Sequence, residues 1–110
     1  MTNAEIEQHV DTSDEWIRER TGIVERRFLA DDEPTSHMAI EVAKALVDKS
    51  GVDPLSIDLV IVATVTPDMF FPATACIVQG AIGARNAWAY DLSAACSGFV
   101  FALVTASQFI

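Results

Sequence analysis

The chain of 110 residues is about the length of one small domain, and its charge is unevenly distributed. Residues 1–58 contain 14 of the 16 acidic and 6 of the 7 basic side chains. The net charge of −9 argues against nucleic-acid binding, and the 51% of hydrophobic residues argue against a disordered chain. The weakly charged half, residues 59–110, therefore predicts a buried core, a membrane segment or part of something larger.

Hydrophobic periodicity and turn residues indicate an alternation of helices and strands. In chain order, they predict helices over 3–10 and 13–20, a strand over 24–28, a surface turn over 31–34, a helix over 35–50, a strand over 59–66, a helix over 72–80, a strand over 87–91, a turn over 93–98 and a helix to 110. This order implies an α/β protein in which helices pack against a sheet.

Capping residues set the expected helix boundaries. We expect Asn3 to cap the first helix, and Thr12 to form a capping box with Glu15 at the second. Gly22 is expected to end the second helix. The third helix is expected to be capped by Thr35 or Ser36, to end at Gly51 and to have one apolar face, formed by Ala39, Val42, Ala43, Leu46 and Val47.

The uncharged run over 59–66 is short and β-branched, which is typical of a strand covered by helices on both faces. The segment Ser93–Ile110 approaches the length of a membrane span, but polar residues interrupt it and no basic residue flanks it. A buried helix fits it better. The apolar pattern is still running at Ile110 and the chain opens directly on a helix, so both ends are expected to be cut.

Cys96 is the candidate nucleophile, because it lies where a predicted strand leads into a helix. Backbone N–H groups and the helix dipole at that place favour a thiolate and can stabilise an oxyanion. The alternative is a small, inert core residue. Cys76 is expected to serve packing, although spacing leaves a bridge between the two cysteines open. His9 and His37 are expected to be surface residues, and no metal-ligand spacing is present.

Four motifs resemble those of β-ketoacyl-acyl-carrier-protein synthase III, the initiating condensing enzyme of type II fatty-acid synthesis. They are Asp11-Thr12-Ser13-Asp14-Glu15-Trp16-Ile17, Arg20-Thr21-Gly22-Ile23, Phe71-Pro72 and Ala94-Ala95-Cys96-Ser97-Gly98-Phe99. The resemblance covers essentially the whole chain. It implies a layered αβαβα thiolase-like fold, of which residues 1–110 form an incomplete N-terminal half.

The resemblance also implies roles for single residues. Cys96 matches the nucleophile that accepts an acyl group from acyl-CoA, and Trp16 matches the residue that stacks on the adenine of CoA. Phe71 matches a residue that reaches across a dimer to line the partner's acyl pocket. Three residues match CoA contacts or lie beside them: Thr12, Arg20 and Thr21. Without the resemblance, Trp16 reads as a helix anchor and Arg20 as a surface ion-pair partner.

The implied reaction has two stages. The cysteine thiolate first takes an acyl group from acyl-CoA, and malonyl-acyl-carrier protein is then decarboxylated and condensed with it. The implied enzyme is cytoplasmic and homodimeric, contacts neither nucleic acid nor membrane, and needs no metal or other cofactor, since CoA is part of the substrate. Family members are about three times as long. Their second half carries a His and an Asn that complete the active site, and neither of these two residues is in this chain.

Three alternatives stay open. A related synthase could use the same acyl-cysteine step for a secondary metabolite. The chain alone could be a non-catalytic fragment that forms a scaffold or a dimer interface. A membrane-associated protein anchored by Ser93–Ile110 is the third. Because CoA and acyl carrier protein are anionic, an acidic chain must bind them through local basic groups. The candidates are Arg18, Arg20, Arg26 and Arg27, of which the first two lie near Glu15 and Glu19.

Overall fold

The computed structural model describes residues 1–110 and divides them into two compact units, Met1–Asp31 and Asp32–Ile110. The first unit is mostly polar and contains two helices. The second unit contains a two-stranded parallel sheet with three α-helices. The alternating helices and strands of the second unit confirm the α/β class that the sequence predicts.

The first unit contains helix α1 (Asn3–Ile6) and helix α2 (Asp14–Thr21). The predicted cap of α1 was wrong, because Thr2 and Glu5 form the capping box while the side chain of Asn3 is buried in other hydrogen bonds. α1 is also shorter than predicted.

The predicted cap of α2 was wrong by one residue. The hydroxyl of Ser13, not of Thr12, accepts a hydrogen bond from the N–H of Trp16. Gly22 ends the helix as expected, in the left-handed conformation with φ of 71°. The start of α2 is therefore set by the serine that directly precedes its acidic first turn.

The strand predicted over 24–28 was also wrong. Glu25 forms one antiparallel bridge with Thr2, and no ladder extends from it. Two backbone hydrogen bonds join Met1 and Arg26 beside the bridge. The pairing does not continue past Thr2, because Thr2 is the N-cap of α1 and the chain goes on as a helix.

The second unit contains five regular elements in the predicted order. They are α3 (Thr35–Ser50), β1 (Leu59–Ala63), α4 (Thr74–Ile82), β2 (Trp88–Leu92) and α5 (Gly98–Ala106), with short 3-10 turns at Pro54–Ser56, Ala95–Ser97 and Ser107–Phe109. α4 begins and ends two residues later than predicted, and its end is set by Gly83 with φ of 77°. Neither Thr35 nor Ser36 caps α3, whose N-cap position is Pro34.

β1 and β2 pair in parallel, from Leu59 opposite Trp88 to Ala63 opposite Leu92, with α4 as the crossover. Alternate residues of β1 face different helices. Leu59, Ile61 and Ala63 share a hollow with α5, whereas Val60 and Val62 share one with α3 and α4. Helices therefore cover both faces, as predicted, although β1 is only half-buried.

Apolar residues on α5 are exposed on several sides of the helix, among them Phe99, Phe101 and Leu103. The fully apolar core of this unit is small and is formed by Ala75, Val78, Ala84 and Ala87. No helix has the length and apolar character needed to cross a membrane. The segment Ser93–Ile110, weighed as a span, contains a 3-10 turn, a nine-residue helix and a second 3-10 turn.

Candidate active site

Cys96 lies in the 3-10 turn Ala95–Ser97, between the end of β2 and the start of α5. This confirms its predicted place at a strand-to-helix turn. The thiol is free and exposed, and the N-terminus of α5 has no side-chain cap. Uncapped N–H groups at such a position can donate hydrogen bonds to an oxyanion. The thiol is thus exposed, whereas the alternative of a core residue predicts a buried one.

The backbone around Cys96 is tightly constrained. Ala95 has φ of 45°, a left-handed conformation that is unfavourable for a residue with a side chain. A Cβ atom added to the buried Gly98 would lie 3.2 Å from the Cβ of Ala63. The first residue of α5 therefore approaches the end of β1 as closely as a glycine allows, and a strained turn of this kind exposes a nucleophile.

Two hollows meet at Cys96. One, of about 840 Å³, is mainly apolar and is lined by Asp58, Leu59, Ile61, Ala63, Ala95, Cys96, Phe99, Ala102, Leu103, Ala106, Phe109 and Ile110. The other, of about 420 Å³, is lined by Ala63, Thr64, Val65, Thr66, Ala95 and Cys96. The thiol is therefore accessible to a substrate with an apolar group on one side and hydroxyl-bearing residues on the other.

Cys76 is the second free thiol, and it is exposed on α4 rather than packed in the core as predicted. Its sulfur lies 3.8 Å from the carbonyl oxygen of Ala89. The bridge between the two cysteines, which the spacing left open, is not formed. Cys76 thus provides an exposed thiol for comparison with Cys96.

The residues matched to CoA contacts lie in the first unit, on α2 and just before it. Asp11, Thr12, Ser13 and Trp16 line a hollow of about 350 Å³. The ring of Trp16 is exposed, and the guanidinium carbon of Arg20 lies 5.7 Å from its centroid. This distance is typical of a cation–π contact. Three of the four predicted residues, Thr12, Trp16 and Arg20, thus lie around this hollow or the indole that lines it.

Thr21 has a different environment. Its hydroxyl donates to the carbonyl of Ile17 at 2.7 Å and accepts from the N–H of Ile23 at 3.0 Å. Both bonds close the C-terminal turn of α2. The geometry therefore gives Thr21 a role in ending the helix.

The four arginines of the first unit differ in their partners. Arg18 forms an ion pair with Asp14 at 2.7 Å, Arg27 pairs with Glu25 at 3.1 Å, and Arg26 donates to Asn3 at 2.7 Å. The expected partners Glu15 and Glu19 neutralise neither Arg18 nor Arg20. Arg20 takes part in no ion pair, so it is the arginine of this unit with its charge available beside Trp16.

Asn3 is a residue whose importance the sequence did not reveal. Its side chain is 1% exposed, donates to Asp14 Oδ1 at 2.8 Å and to the carbonyl of Ile23 at 2.9 Å, and accepts from Arg26. Hydrogen bonds from Arg18 and then from Asn3 hold the pKa of Asp14 below its ordinary value. Both ends of the Trp16 helix are thus tied to one buried amide.

The histidines lie on the surface, as predicted. His37 Nδ1 is 3.1 Å from Glu33 Oε1, and His9 is exposed. Neither shares a hollow with Cys96. No group of three or more potential metal ligands is present.

Phe71 lies in the loop between β1 and α4, next to Phe70, and both rings are almost fully exposed. The peptide bond between Phe71 and Pro72 is cis. Sequence reasoning passed over two aspartates, Asp68 and Asp91. Asp68 accepts a hydrogen bond from the N–H of Ser36, and Asp91 accepts from those of Thr74 and Ala75. The signal that could have identified them is their rarity, since they are two of three charged residues after position 58.

No model of a known protein family matches the chain. Comparison with individual proteins is informative. The chain is 60% identical over its whole length to the β-ketoacyl-acyl-carrier-protein synthase III of Chlorobium phaeovibrioides, of which it spans 34%. It spans about a third of the length of the curated relatives it matches.

Solved structures give the same result. The crystal structure of 3-oxoacyl-acyl-carrier-protein synthase III from Aquifex aeolicus is 49% identical, with a TM-score of 0.78 over 99% of this chain and 35% of that one. The priming β-ketosynthase of the R1128 polyketide pathway is 39% identical, also with a TM-score of 0.78, over 98% and 32% of the two chains. The predicted thiolase-like fold is confirmed, and the chain is homologous over its whole length to the N-terminal third of β-ketoacyl-acyl-carrier-protein synthase III.

Proposed function

We propose that this chain supplies the nucleophile and the CoA-binding helix of a synthase III-type acyltransferase that initiates fatty-acid synthesis. The observation that carries the proposal is the exposed thiol of Cys96 in a strained turn before an uncapped helix, open to an apolar hollow. Homology over the whole chain to proteins of that name supports it.

In the proposed first step, the Cys96 thiolate attacks the thioester carbonyl of acyl-CoA. The bond between the carbonyl carbon and the CoA sulfur breaks, the acyl group stays on Cys96, and CoA leaves as a thiolate that takes up a proton. N–H groups at the start of α5 stabilise the oxyanion. In the second step, loss of CO2 from malonyl-acyl-carrier protein gives a carbanion that attacks the carbonyl carbon of the acyl-cysteine. A carbon–carbon bond forms, the bond from that carbon to the Cys96 sulfur breaks, and β-ketoacyl-acyl-carrier protein leaves while Cys96 returns to the thiolate.

CoA binding is proposed for the Trp16 hollow. The indole offers an exposed stacking face, Arg20 offers an unpaired charge for phosphate, and Thr12 lines the same hollow. Thr21 is the fourth proposed contact, through the end of the helix that it closes. Phe71 is proposed to line an acyl pocket in the partner of a homodimer. A cytoplasmic location and acyl carrier protein as a partner complete the proposal.

Intact mass after incubation with acetyl-CoA tests the first step. We expect an acetyl adduct that is lost in Cys96→Ser and kept in Cys76→Ser. The second variant is a matched control, because both thiols are exposed. A chimera in which this chain replaces the N-terminal third of the Aquifex aeolicus synthase supplies the remaining residues. Absence of the adduct in the chimera would contradict the proposal.

A synthase of secondary metabolism is the second candidate, favoured by the similarity to the R1128 priming β-ketosynthase. It shares the acyl-cysteine step and differs in the acyl group accepted. A panel of acyl-CoA thioesters of different length and branching separates the two candidates. A scaffold role without chemistry predicts no adduct with any of them.

A further inference from the structure

Two aspartates cap helices that have no side-chain cap of their own. α4 follows Ala73, and the carboxylate of Asp91 on β2 accepts hydrogen bonds from the N–H groups of Thr74 at 2.8 Å and Ala75 at 2.7 Å. In α3, the N–H of Ser36 donates to Asp68 at 2.8 Å. A carboxylate at a helix N-terminus is favourable because it satisfies free N–H groups and interacts with the dipole.

The two caps are joined into one network. Thr74 is fully buried, and its hydroxyl accepts from the N–H of Asp68 at 3.3 Å. The hydroxyl of Thr35 donates to the carbonyl of Thr66 at 2.6 Å. The loop over 64–73 is therefore tied to α3 at Thr66 and Asp68, and it ends directly before the α4 residues that Asp91 of β2 holds.

This loop presents Phe70 and Phe71 to solvent. Exposed rings contribute no burial that could fix the loop, so the hydrogen bonds of Asp68 within it and of Asp91 directly after it carry more of its shape. Asp91 is also the next-to-last residue of β2, the strand that leads to Cys96. One side chain thus connects the loop that carries Phe71 with the strand that carries the nucleophile.

We propose that Asp91 is a positioning residue that fixes the Phe71 loop and thereby sets acyl-chain preference. The inference rests on the proposed function, in which Cys96 is acylated and Phe71 lines an acyl pocket. Asp91 acts through the backbone of Thr74 and Ala75. Removing its charge should loosen the loop and change which acyl groups are accepted.

The test compares Asp91→Asn with Asp48→Asn, a matched control on the exposed surface of α3. Asparagine keeps one acceptor oxygen for two N–H donors and turns an NH2 group toward them. We expect amide exchange at Thr74 and Ala75 to accelerate about tenfold or more in Asp91→Asn and to stay unchanged in the control. Asp91→Glu, which keeps both oxygens, should restore part of the protection.

The second readout is the rate of Cys96 acylation by a long-chain acyl-CoA relative to acetyl-CoA, measured by intact mass in the chimera with the Aquifex aeolicus synthase. We expect this ratio to change about fivefold in Asp91→Asn, with partial rescue by Asp91→Glu. Asp68→Asn, which weakens the contact between the loop and α3, should move the ratio in the same direction. This second variant keeps the test decisive if Asp91→Asn folds poorly.

Unchanged exchange at Thr74 and Ala75 would overturn the proposal. Faster exchange with an unchanged acylation ratio would also overturn it, because the cap would then serve stability alone. Absence of acylation in the unsubstituted chimera contradicts the proposed function. Amide exchange needs no activity, so it distinguishes that failure from a failure of Asp91 to hold the loop.

Discussion

The interactions that stabilise the first unit differ from those that stabilise the second. The first unit, Met1–Asp31, buries one large apolar side chain, Ile17, and relies on the hydrogen bonds of Asn3 and on helix caps. The second unit stacks helices on a parallel sheet but leaves most of α5 exposed. The first unit should therefore be sensitive to single polar substitutions, whereas the second should be sensitive to the fit between backbone elements.

The largest effect is expected from Asn3→Ala in the first unit. The substitution leaves Arg26 and the carbonyl of Ile23 without their buried partner, so it should destabilise the unit by about 2–3 kcal/mol. Amide exchange of α2 measures the loss. Asn86→Ala is the control, because the exposed amide of Asn86 makes one hydrogen bond, to Leu55, and should matter by about 0.5–1 kcal/mol. Equal effects would contradict the difference drawn between the units.

Gly98→Val should give the next largest effect, now in the second unit. A Cβ atom added at this position would lie 3.2 Å from the Cβ of Ala63, so the larger side chain of valine must push α5 away from β1. We expect a loss of about 1–3 kcal/mol in urea unfolding, together with slower acylation of Cys96. Gly80→Ala in α4 meets nothing within 4 Å and should be neutral or slightly stabilising. A Gly98→Val variant that behaves like Gly80→Ala would refute close packing at this turn.

Arg20→Ala tests whether the exposed indole of the first unit is a binding surface. The substitution removes the charge that is proposed to contact a phosphate of CoA, and an exposed ion pair contributes up to about 1 kcal/mol, so CoA should bind up to roughly fivefold more weakly. Titration of CoA by calorimetry measures the change. Arg27→Ala removes the same charge from a residue paired with Glu25 and should leave the affinity unchanged.

The smallest effect is expected in the stability of the first unit at low pH. Hydrogen bonds from Arg18 and Asn3 lower the pKa of Asp14, so the native state favours its carboxylate. That stability is fully present above the unfolded pKa of about 3.9 and is lost as the pH falls through the lowered pKa. Asp14→Asn should reduce the acid dependence of α2 amide exchange, whereas Asp11→Asn should not. An unchanged profile in Asp14→Asn would exclude this linkage.

The sequence predicted the candidate site in part. Local signals sufficed for Cys96, because a strand, a run of small residues and a helix follow one another there. They also sufficed for the end of α2 at Gly22. The caps of Asn3 and Thr12 were misplaced, because neighbouring Thr and Ser residues offer the same chemistry and tertiary hydrogen bonds decide which one is used.

The amino-acid sequence alone determined the α/β class, the order of helices and strands in the second unit, and the place of Cys96 between a strand and a helix. Periodicity and turn chemistry depend on residues that are close in sequence, so both can be recognised without knowing the tertiary structure. Only the tertiary structure decided that the buried side chain of Asn3 makes several long-range hydrogen bonds, and that Asp68 and Asp91 cap α3 and α4. Those bonds join residues 11 to 32 positions apart, and their geometry exists only once the elements pack.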